Sequence, residues 1–352
     1  MNYKIFLKTL FGICLMAMCW MPMNAQDTNL RGDVNGDGGV EISDVTALVD
    51  YLLSGDESFV RLASSDIDRD GEVGIGDVAA LIDYLLTGEW PADPEPVYEP
   101  VYETFTVSNV TFRVLLVEGG TFMMGGREDD PYVKPWEIPA HEVTLSDYYI
   151  GETEVTQALW KAVMGSNPSW YQYSYNSDYA YTNDLQRPVE NVTYSNVQSF
   201  LTKLKQKTGK TFRLPTEAEW EFAARGGNYS KGYMFPGSND IDEVAWHTGN
   251  SMEYLPNAGR DENIPHPVGT KLPNELLIYD MGGNVGEWTS DWYGLYTDAP
   301  ATNPTGPTTG TARVVRGGSF YQAWRMNRVS YRHEGWPTSA TIHVGLRVVL
   351  VK

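Results

Sequence analysis

Cysteine is almost missing from this chain: the 352 residues hold two, Cys14 and Cys19. Both fall in the first 25 residues, so a chain trimmed of that segment has no disulfide, no thiolate nucleophile and no cysteine-ligated metal. Long hydrophobic runs are scarce too. The start, MNYKIFLKTLFGICLMAMCWMPMNAQ, sets Lys4 and Lys8 ahead of an apolar run from Leu10 to Trp20 and reaches the small residue Ala25. This pattern predicts a signal peptide over residues 1–25 and an exported protein, periplasmic, cell-surface or extracellular. The run is too short for a good membrane span, and no later stretch approaches the roughly 20 apolar residues a span needs. Positive charge is also in deficit, with 26 Lys and Arg against 46 Asp and Glu and a net charge of -20. Removing Lys4 and Lys8 takes that to -22, which excludes nucleic acid and anionic membranes as natural partners.

The acidity is local. Between Asp27 and Glu95 there are 17 acidic residues and three arginines, whereas the rest is mildly acidic and rich in Trp, Tyr and Gly. That shift predicts two domains. Within the acidic part, DVNGDGGVEISDVTALVDYLL from Asp33 recurs as DIDRDGEVGIGDVAALIDYLL from Asp66, an offset of 33. Asp33, Asn35, Asp37 and Asp44 stand at loop positions 1, 3, 5 and 12, matched by Asp66, Asp68, Asp70 and Asp77. Gly38 and Gly71 take position 6, where the chain must turn sharply, and the carbonyls of Gly39 and Glu72 take position 7. A hard cation such as calcium wants about six to eight oxygens from one compact loop, and this spacing supplies them. After each loop, Val45, Leu48, Val49, Leu52 and Leu53, matched by Val78, Leu81, Ile82, Leu85 and Leu86, recur at helical spacing. The two amphipathic helices are predicted to share one core, with two calcium ions completing a unit too small to hold by apolar burial alone. Asp, Asn and Gly also make ordinary turns, but two complete loops in register are a far more specific pattern.

From Gly32 to Leu86 this segment resembles the type I dockerins, whose duplicated loop-helix unit carries Asp at position 12. The resemblance implies an all-α, EF-hand-like module over residues 27–90 and a cohesin-like or other protein partner, in a polysaccharide-catabolism setting. That family uses positions 10 and 11 to recognise the cohesin, often as a polar pair. Here they are Ile42-Ser43 and Ile75-Gly76.

Residues 91–104, with spaced prolines and acids, read as an extended linker. The remaining residues, 105–352, suffice for one sizeable core. VTFRVLLV, HEVTLSDYYI and HVGLRVVLV alternate like strands; NVQSFLTKLKQKTG and EAEWEFAARGG read as helices, the second capped by Thr216 with Glu219 completing a capping box. Long Gly-, Asn-, Pro- and Trp-rich stretches separate them, so an α+β fold of low regularity is expected.

GGTFMMGG at Gly119, EVTQALW at Glu154, RPVENVTY at Arg187, FRLPTEAEWEFAARGG at Phe212, YDMGGNVGEWTSDWY at Tyr279, VVRGGSFY at Val314 and VGLRVV at Val344 follow one another in a distinctive order. On these segments the domain resembles the formylglycine-generating enzyme, or sulfatase-modifying factor, family. The resemblance implies a fold related to C-type lectins and an oxidase that converts a sulfatase cysteine to formylglycine with copper held by two cysteines. Those cysteines lie three and eight residues after the serine of RGGS, here Ser319, so their positions are Gln322 and Asn327. Two amides cannot rebuild a soft, thiolate-selected copper site. No copper and no family oxidase chemistry are therefore expected.

The resemblance further implies one calcium held by the side chains of Asp280 and Glu287 and the carbonyls of Gly283 and Val285, donors that suit a hard cation. The alternative is a Gly-rich turn whose Glu caps backbone amides. His141, His247, His266, His333 and His343 show no metal-ligand spacing, and no phosphate loop or Ser-His-Asp pattern is present. The reading is a non-catalytic binding or scaffolding domain with a peptide or glycan groove around Ser319, Tyr321, Gln322, Trp324 and Asn327. The rivals are an enzyme of the same family using cysteine-independent chemistry, and a lectin-like variable binding protein, which would diversify between Phe320 and Ile342.

Overall fold

The computed structural model describes residues 30–91, 98–127, 130–172, 185–255 and 260–351. The predicted signal peptide, with Cys14 and Cys19, and residues 92–97 of the predicted linker lie outside the described residues. Chain contacts divide the molecule into a unit ending at Val97 and one beginning at Tyr98. The larger unit thus starts earlier than the composition suggests. The Tyr98 hydroxyl donates to the Leu116 carbonyl at 3.1 Å, and its ring packs edge-on against Tyr229.

In the small unit, α1 (Ile42–Ser54) and α2 (Ile75–Thr87) each begin at loop position 10 and end on a left-handed glycine, Gly55 and Gly88. The position-12 carboxylates start them. Asp44 accepts from the Glu41 and Asn35 amides at 2.8 and 3.0 Å, and Asp77 accepts from the Gly74 amide at 2.7 Å. These bonds satisfy amides that a helix start leaves without partners. Val45 and Leu48 of α1, and Val78 and Leu81 of α2, form the shared core with Val34 and Ile67 from position 2 of each loop. The expected stripe is narrower than its periodicity implied. Leu53 and Leu86 are 82% and 80% exposed, because the helices face each other through their first turns.

Arg31 donates to the Ile67 and Pro91 carbonyls and lies 5.0 Å from the Trp90 ring, which stacks on Tyr84 at 3.6 Å. The two ends of the unit are thereby clasped together. Replacing Trp90 by alanine removes the stack and the cover over Gly32, whose built Cβ would touch the Trp90 ring at 2.5 Å. The expected loss is about 1–3 kcal/mol, measured as an earlier unfolding transition of this unit in a denaturant titration at fixed calcium; an unchanged midpoint would reject the clasp.

The large unit is α+β, with short sheets. β1 (Tyr102–Val107), β2 (Val110–Val117), β5 (Tyr148–Gly151), β14 (Val349–Leu350) and β6 (Phe212–Arg213) form one sheet in that order. A second sheet runs β10 (Ala301–Thr302), β4 (His141–Leu145), β3 (Gly120–Met124). A third runs β12 (Arg332–Gly335), β11 (Arg313–Arg316), β9 (Gly286–Trp292), β13 (Val344–Gly345). β7 (Met252–Leu255) and β8 (Arg260–Asn263) make a hairpin. The longer helices are α3 (Gln157–Met164), α4 (Tyr194–Thr208) and α5 (Glu217–Ala224), with a single further turn at Ile241–Val244.

Two predicted strands are each broken in two. HEVTLSDYYI splits into β4 and β5, which belong to different sheets. HVGLRVVLV breaks between β13 and β14, where Arg347 is drawn inward to Glu287 and to the Gly151 carbonyl. The Thr216 capping box forms as expected, with the Glu219 amide donating to Thr216 Oγ1 at 3.1 Å and the Thr216 amide to Glu219 Oε2 at 2.8 Å.

Candidate metal loops and the Ser319–Asn327 segment

Both acidic loops are built as cation cradles. In the second, carboxylate oxygens of Asp66, Asp68 and Asp70 all lie within 4.8 Å of one another. The first repeats the arrangement with Asn35 at position 3, whose Nδ2 donates to Asp37 Oδ2 at 3.0 Å. At position 1 the carboxylates are equivalent: Asp33 Oδ2 accepts from the Gly38 amide and Asp66 Oδ2 from the Gly71 amide, both at 3.2 Å. The other oxygen of each, Asp33 Oδ1 and Asp66 Oδ1, is buried with no hydrogen-bond partner among the described residues. An orphaned carboxylate oxygen at position 1 of each loop fits a cation bound in that loop. Asp37 and Asp70 accept from the amides of Gly39 and Glu72, which places these position-7 residues beside the loop centre.

The segment from Asp280 to Glu287 sits at the middle of the large unit. Asp280, Gly283 and Asn284 all have positive φ, at 55°, 79° and 49°, and coil the chain tightly. Gly283 has no room for a side chain, since a Cβ there would meet the Trp246 carbonyl oxygen at 2.2 Å. Asp280 Oδ2 accepts from the Gly269 amide at 2.7 Å, while the buried Oδ1 has no partner among the described residues. Glu287 is placed differently from the sequence reading. Its carboxylate is gripped by Arg347 at 2.8–3.1 Å and by the Trp220 indole N–H at 2.8 Å. It is an ion-pair partner, not a free ligand group.

Glu154, which sequence reasoning did not single out, closes the arrangement. Its oxygens accept from the Val285 amide at 2.9 Å and from Asn284 Nδ2 at 2.8 Å. Burial, followed by the charges of Asp280 and Glu287, holds its carboxyl well above the ordinary range, and burial pushes Asp280 up to about 6. Arg347 is committed to Glu287, so Glu154 and Asp280 have no guanidinium of their own and would ionise fully only beside an added cation such as a divalent ion. The signal for Glu154 was its place in EVTQALW: an acid immediately before a buried valine and a helix cap.

The Ser319–Asn327 segment departs from expectation. Ser319 and Asn327 are both 0% exposed and offer no surface to a ligand. Asn327 Nδ2 donates to the Ala323 and Trp324 carbonyls at 3.2 and 3.3 Å, and its Oδ1 would lie 2.5 Å from a Cβ on Gly318. Trp324 packs edge-on against Tyr132 at 4.8 Å, so it is a wall and not a free platform. Gln322 is half-buried, and its carbonyl accepts from the Thr248 amide. Tyr321 alone of the five is well exposed, at 58%, with its ring 6.3 Å from that of His343. Ser319 Oγ, Gln322 Oε1 and Asn327 Oδ1 have no partner among the described residues. The donor set is a hydroxyl and two amides, which does not fit thiolate-bound copper.

Comparison with known proteins gives these features a family. The sulfatase-modifying factor enzyme 1-like domain profile matches residues 101–352, and the dockerin type I profile matches residues 31–86. The large unit belongs to the sulfatase-modifying factor family. The small unit is a dockerin type I domain, a class that binds calcium and cohesin partners. Among relatives, the chaperone protein LppX of Paenibacillus barcinonensis is 32% identical over 285 residues, 70% of this chain and 91% of that one. The formylglycine-generating enzyme of Thermomonospora curvata is 30% identical over 286 residues, 66% of this chain and 92% of the enzyme. Treponema denticola variable protein 1 superposes with a TM-score of 0.61 at 31% identity, covering 72% of this chain and 99% of that one. PvdO from Pseudomonas aeruginosa gives 0.58 at 25%, covering 72% and 100%. Among the described residues no helix is long and apolar enough to cross a membrane.

Two experiments follow. Circular dichroism with and without chelator should show helical signal falling when calcium is removed, because α1 and α2 start from the loops. Asp33→Ala and Asp66→Ala should each remove one site, and helicity indifferent to chelator would reject the reading. For the large unit, Asp280→Asn should abolish any calcium-dependent rise in melting temperature, since an ion bound only by the folded state stabilises by mass action. Glu287→Gln should instead cost about 3–5 kcal/mol with or without calcium, because it strands buried Arg347. A melting transition of the large unit that ignores calcium in the unmodified protein would remove Asp280 from the ligands.

Proposed function

We propose that this is an exported, calcium-loaded binding protein whose sulfatase-modifying-factor domain does not catalyse. One observation carries the reading. The two positions at which the family holds copper are Gln322 and Asn327, no cysteine lies anywhere in the domain, and the Asn327 amide is bound to its own backbone turn. Oxidation of a cysteine by the family route needs thiolates as ligand and redox partner.

The dockerin domain, with two calcium ions, attaches the protein to a partner. Ile42 and Ile75 are 72% and 78% exposed at the start of each helix, and offer that partner apolar contacts where related modules place polar ones. The large domain, with one further calcium at Asp280, Gly283 and Val285, presents a ligand surface or acts as a scaffold. Exposed Tyr321, next in the chain to the half-buried Gln322, and exposed Trp336 at the end of β12 are aromatic surfaces that suit stacking against a peptide or a glycan. The likeness to a chaperone and to a variable protein supports this reading. The likeness to formylglycine-generating enzymes supports a second, an enzyme with cysteine-independent chemistry.

The two readings separate cleanly. A cysteine-containing sulfatase peptide incubated with the purified protein, with or without copper, should show by mass spectrometry no conversion to formylglycine. Enzyme-dependent conversion would overturn the proposal. In a peptide and glycan binding screen, the double replacement of Tyr321 and Trp336 by alanine should weaken any hit at least about tenfold, the loss of roughly 1.4 kcal/mol, while leaving the melting temperature unchanged.

A further inference from the structure

Away from Ser319–Asn327, a cavity of about 250 Å³ opens between β4, β9, β12, the start of α5 and the loop that follows β9. Its roof is made of small residues, among them Ala299, Ala301, Pro304 and Gly306, which cover the space without filling it. Its floor is polar and buried, with Asp291 and Glu217 only 3% and 4% exposed.

The hydrogen bonds determine what such a floor can accept. Arg332 is saturated: Nε and NH2 pair with Glu217 at 2.6 and 2.7 Å, and NH1 donates to the Trp136 and Gly294 carbonyls. Tyr296 donates its hydroxyl to Glu217 at 3.0 Å. Glu217 is thereby hydrogen-bonded and ion-paired. Asp291 is different. Both bonds it accepts, from the Glu217 amide at 2.9 Å and from Ser290 Oγ at 3.0 Å, fall on Oδ2, and Oδ1 has no hydrogen-bond partner among the described residues. His141 lies with Nδ1 3.2 Å from the Pro139 carbonyl, so Nδ1 carries the proton and Nε2 is left as an acceptor. The capacity remaining is one carboxylate oxygen and one imidazole lone pair, with the aromatic ring of Tyr296 alongside. The buried floor thus offers acceptors, which the donors of a ligand would meet.

We propose that this cavity binds a primary alkylammonium group, from a free amine or from a lysine side chain. The ammonium donates to Asp291 Oδ1 and His141 Nε2, while the Tyr296 ring stays covered by the Arg332 guanidinium at 4.1 Å. Its short alkyl body meets apolar wall at Met124 and Leu295. The volume lies just below the roughly 300–1,000 Å³ usual for small-molecule sites, which limits the occupant to something about the size of a lysine side chain.

The protonation of Asp291 gives the proposal a signature. The groups packed around it are Glu217 and Glu219 from α5, Arg332 from β12, His141 from β4 and Tyr296 from the covering loop. Burial, then the negative charge of Glu217, raises its carboxyl to about 7. The ammonium binds the ionised form, so affinity is reduced by the fraction protonated.

The test is calorimetric titration of the full-length protein with n-butylamine, with Nα-acetyl-lysine methylamide and, as a neutral control of similar shape, with n-butanol. Both amines should bind if a lysine side chain can enter, and n-butylamine alone should bind if the site serves free amines. In either case n-butanol should bind at least about tenfold more weakly, a difference of roughly 1.4 kcal/mol. Amine affinity should fall by nearly tenfold per pH unit well below pH 7 and level off above about pH 8. Asp291→Asn should weaken binding and flatten that profile. Ala301→Leu fills the cavity from its roof while keeping Asp291, and should abolish binding at an unchanged melting temperature. Equal binding of butanol and butylamine, no amine binding at millimolar concentration, or full affinity in Ala301→Leu would each overturn the proposal.

Discussion

The large unit depends on buried guanidinium–carboxylate pairs. Arg316, Arg328, Arg332 and Arg347 are all 0–1% exposed, and each grips a glutamate that is itself buried: Glu221, Glu137, Glu217 and Glu287. An isolated buried charge would be prohibitive, so each pair requires the other hydrogen bonds of the guanidinium to be filled. Backbone carbonyls fill most of them, although Arg316 Nε has no partner among the described residues. Arg316 takes those of Val329, Ser330 and Tyr331, Arg332 those of Trp136 and Gly294, and Arg347 those of Gly151 and Tyr279. Apart from Gly151 at the end of β5 and Trp136 in a single 3-10 turn, these are carbonyls of irregular chain, which no sheet or helix ladder would satisfy. The arginines therefore take over the role that regular secondary structure plays elsewhere, and the low regularity of the domain follows from them.

The small unit meets the same constraint with opposite means. It has carboxylates in excess and no buried arginine among its described residues, so its loops direct oxygens at a common centre instead of at guanidinium groups. The orphaned oxygens of Asp33 and Asp66 mark where the positive charge must come from outside the chain. The Asp280 turn lies between the two solutions. Arg347 answers Glu287 there, while Asp280 Oδ1 remains unanswered. A mobile cation and a fixed guanidinium are in this sense alternatives for one electrostatic task, and only the first can be removed by a chelator.

How far the sequence carried differs between the units. In the small unit a repeated spacing of short-range ligands and a helical stripe determine the structure, so loops, helix starts and shared core were legible. The burial of Val34 and Ile67 was not, because apolar residues inside an acidic loop lack periodic company. In the large unit the motif segments located the turn at Asp280–Glu287 but misread Glu287. Its partner Arg347 is 60 positions distant, and nothing local distinguishes a metal ligand from an ion-pair partner. Glu154 was overlooked for the same reason, since it acts across 131 positions on the Val285 amide. Ser319 and Asn327 were read as a groove because the family's chemistry lies there. Burial is a property of packing that a motif does not carry.

That the oxidase positions could change without loss of the fold is a consequence of where the supporting interactions lie. Asn327 fills its place by capping the turn at Ala323 and Trp324, and Gln322 holds the Thr248 amide through its own backbone, so neither needs the chemistry of a thiol to be accommodated. The pairs that organise the surrounding chain, Arg316 with Glu221 and Arg328 with Glu137, engage groups on either side of this segment and not the segment's own side chains. The scaffold is thus decoupled from the reactive positions. A fold stabilised in this way can hold its shape while the residues of the site it carries change, and those residues, more than membership of the family, must be used to infer what the protein does.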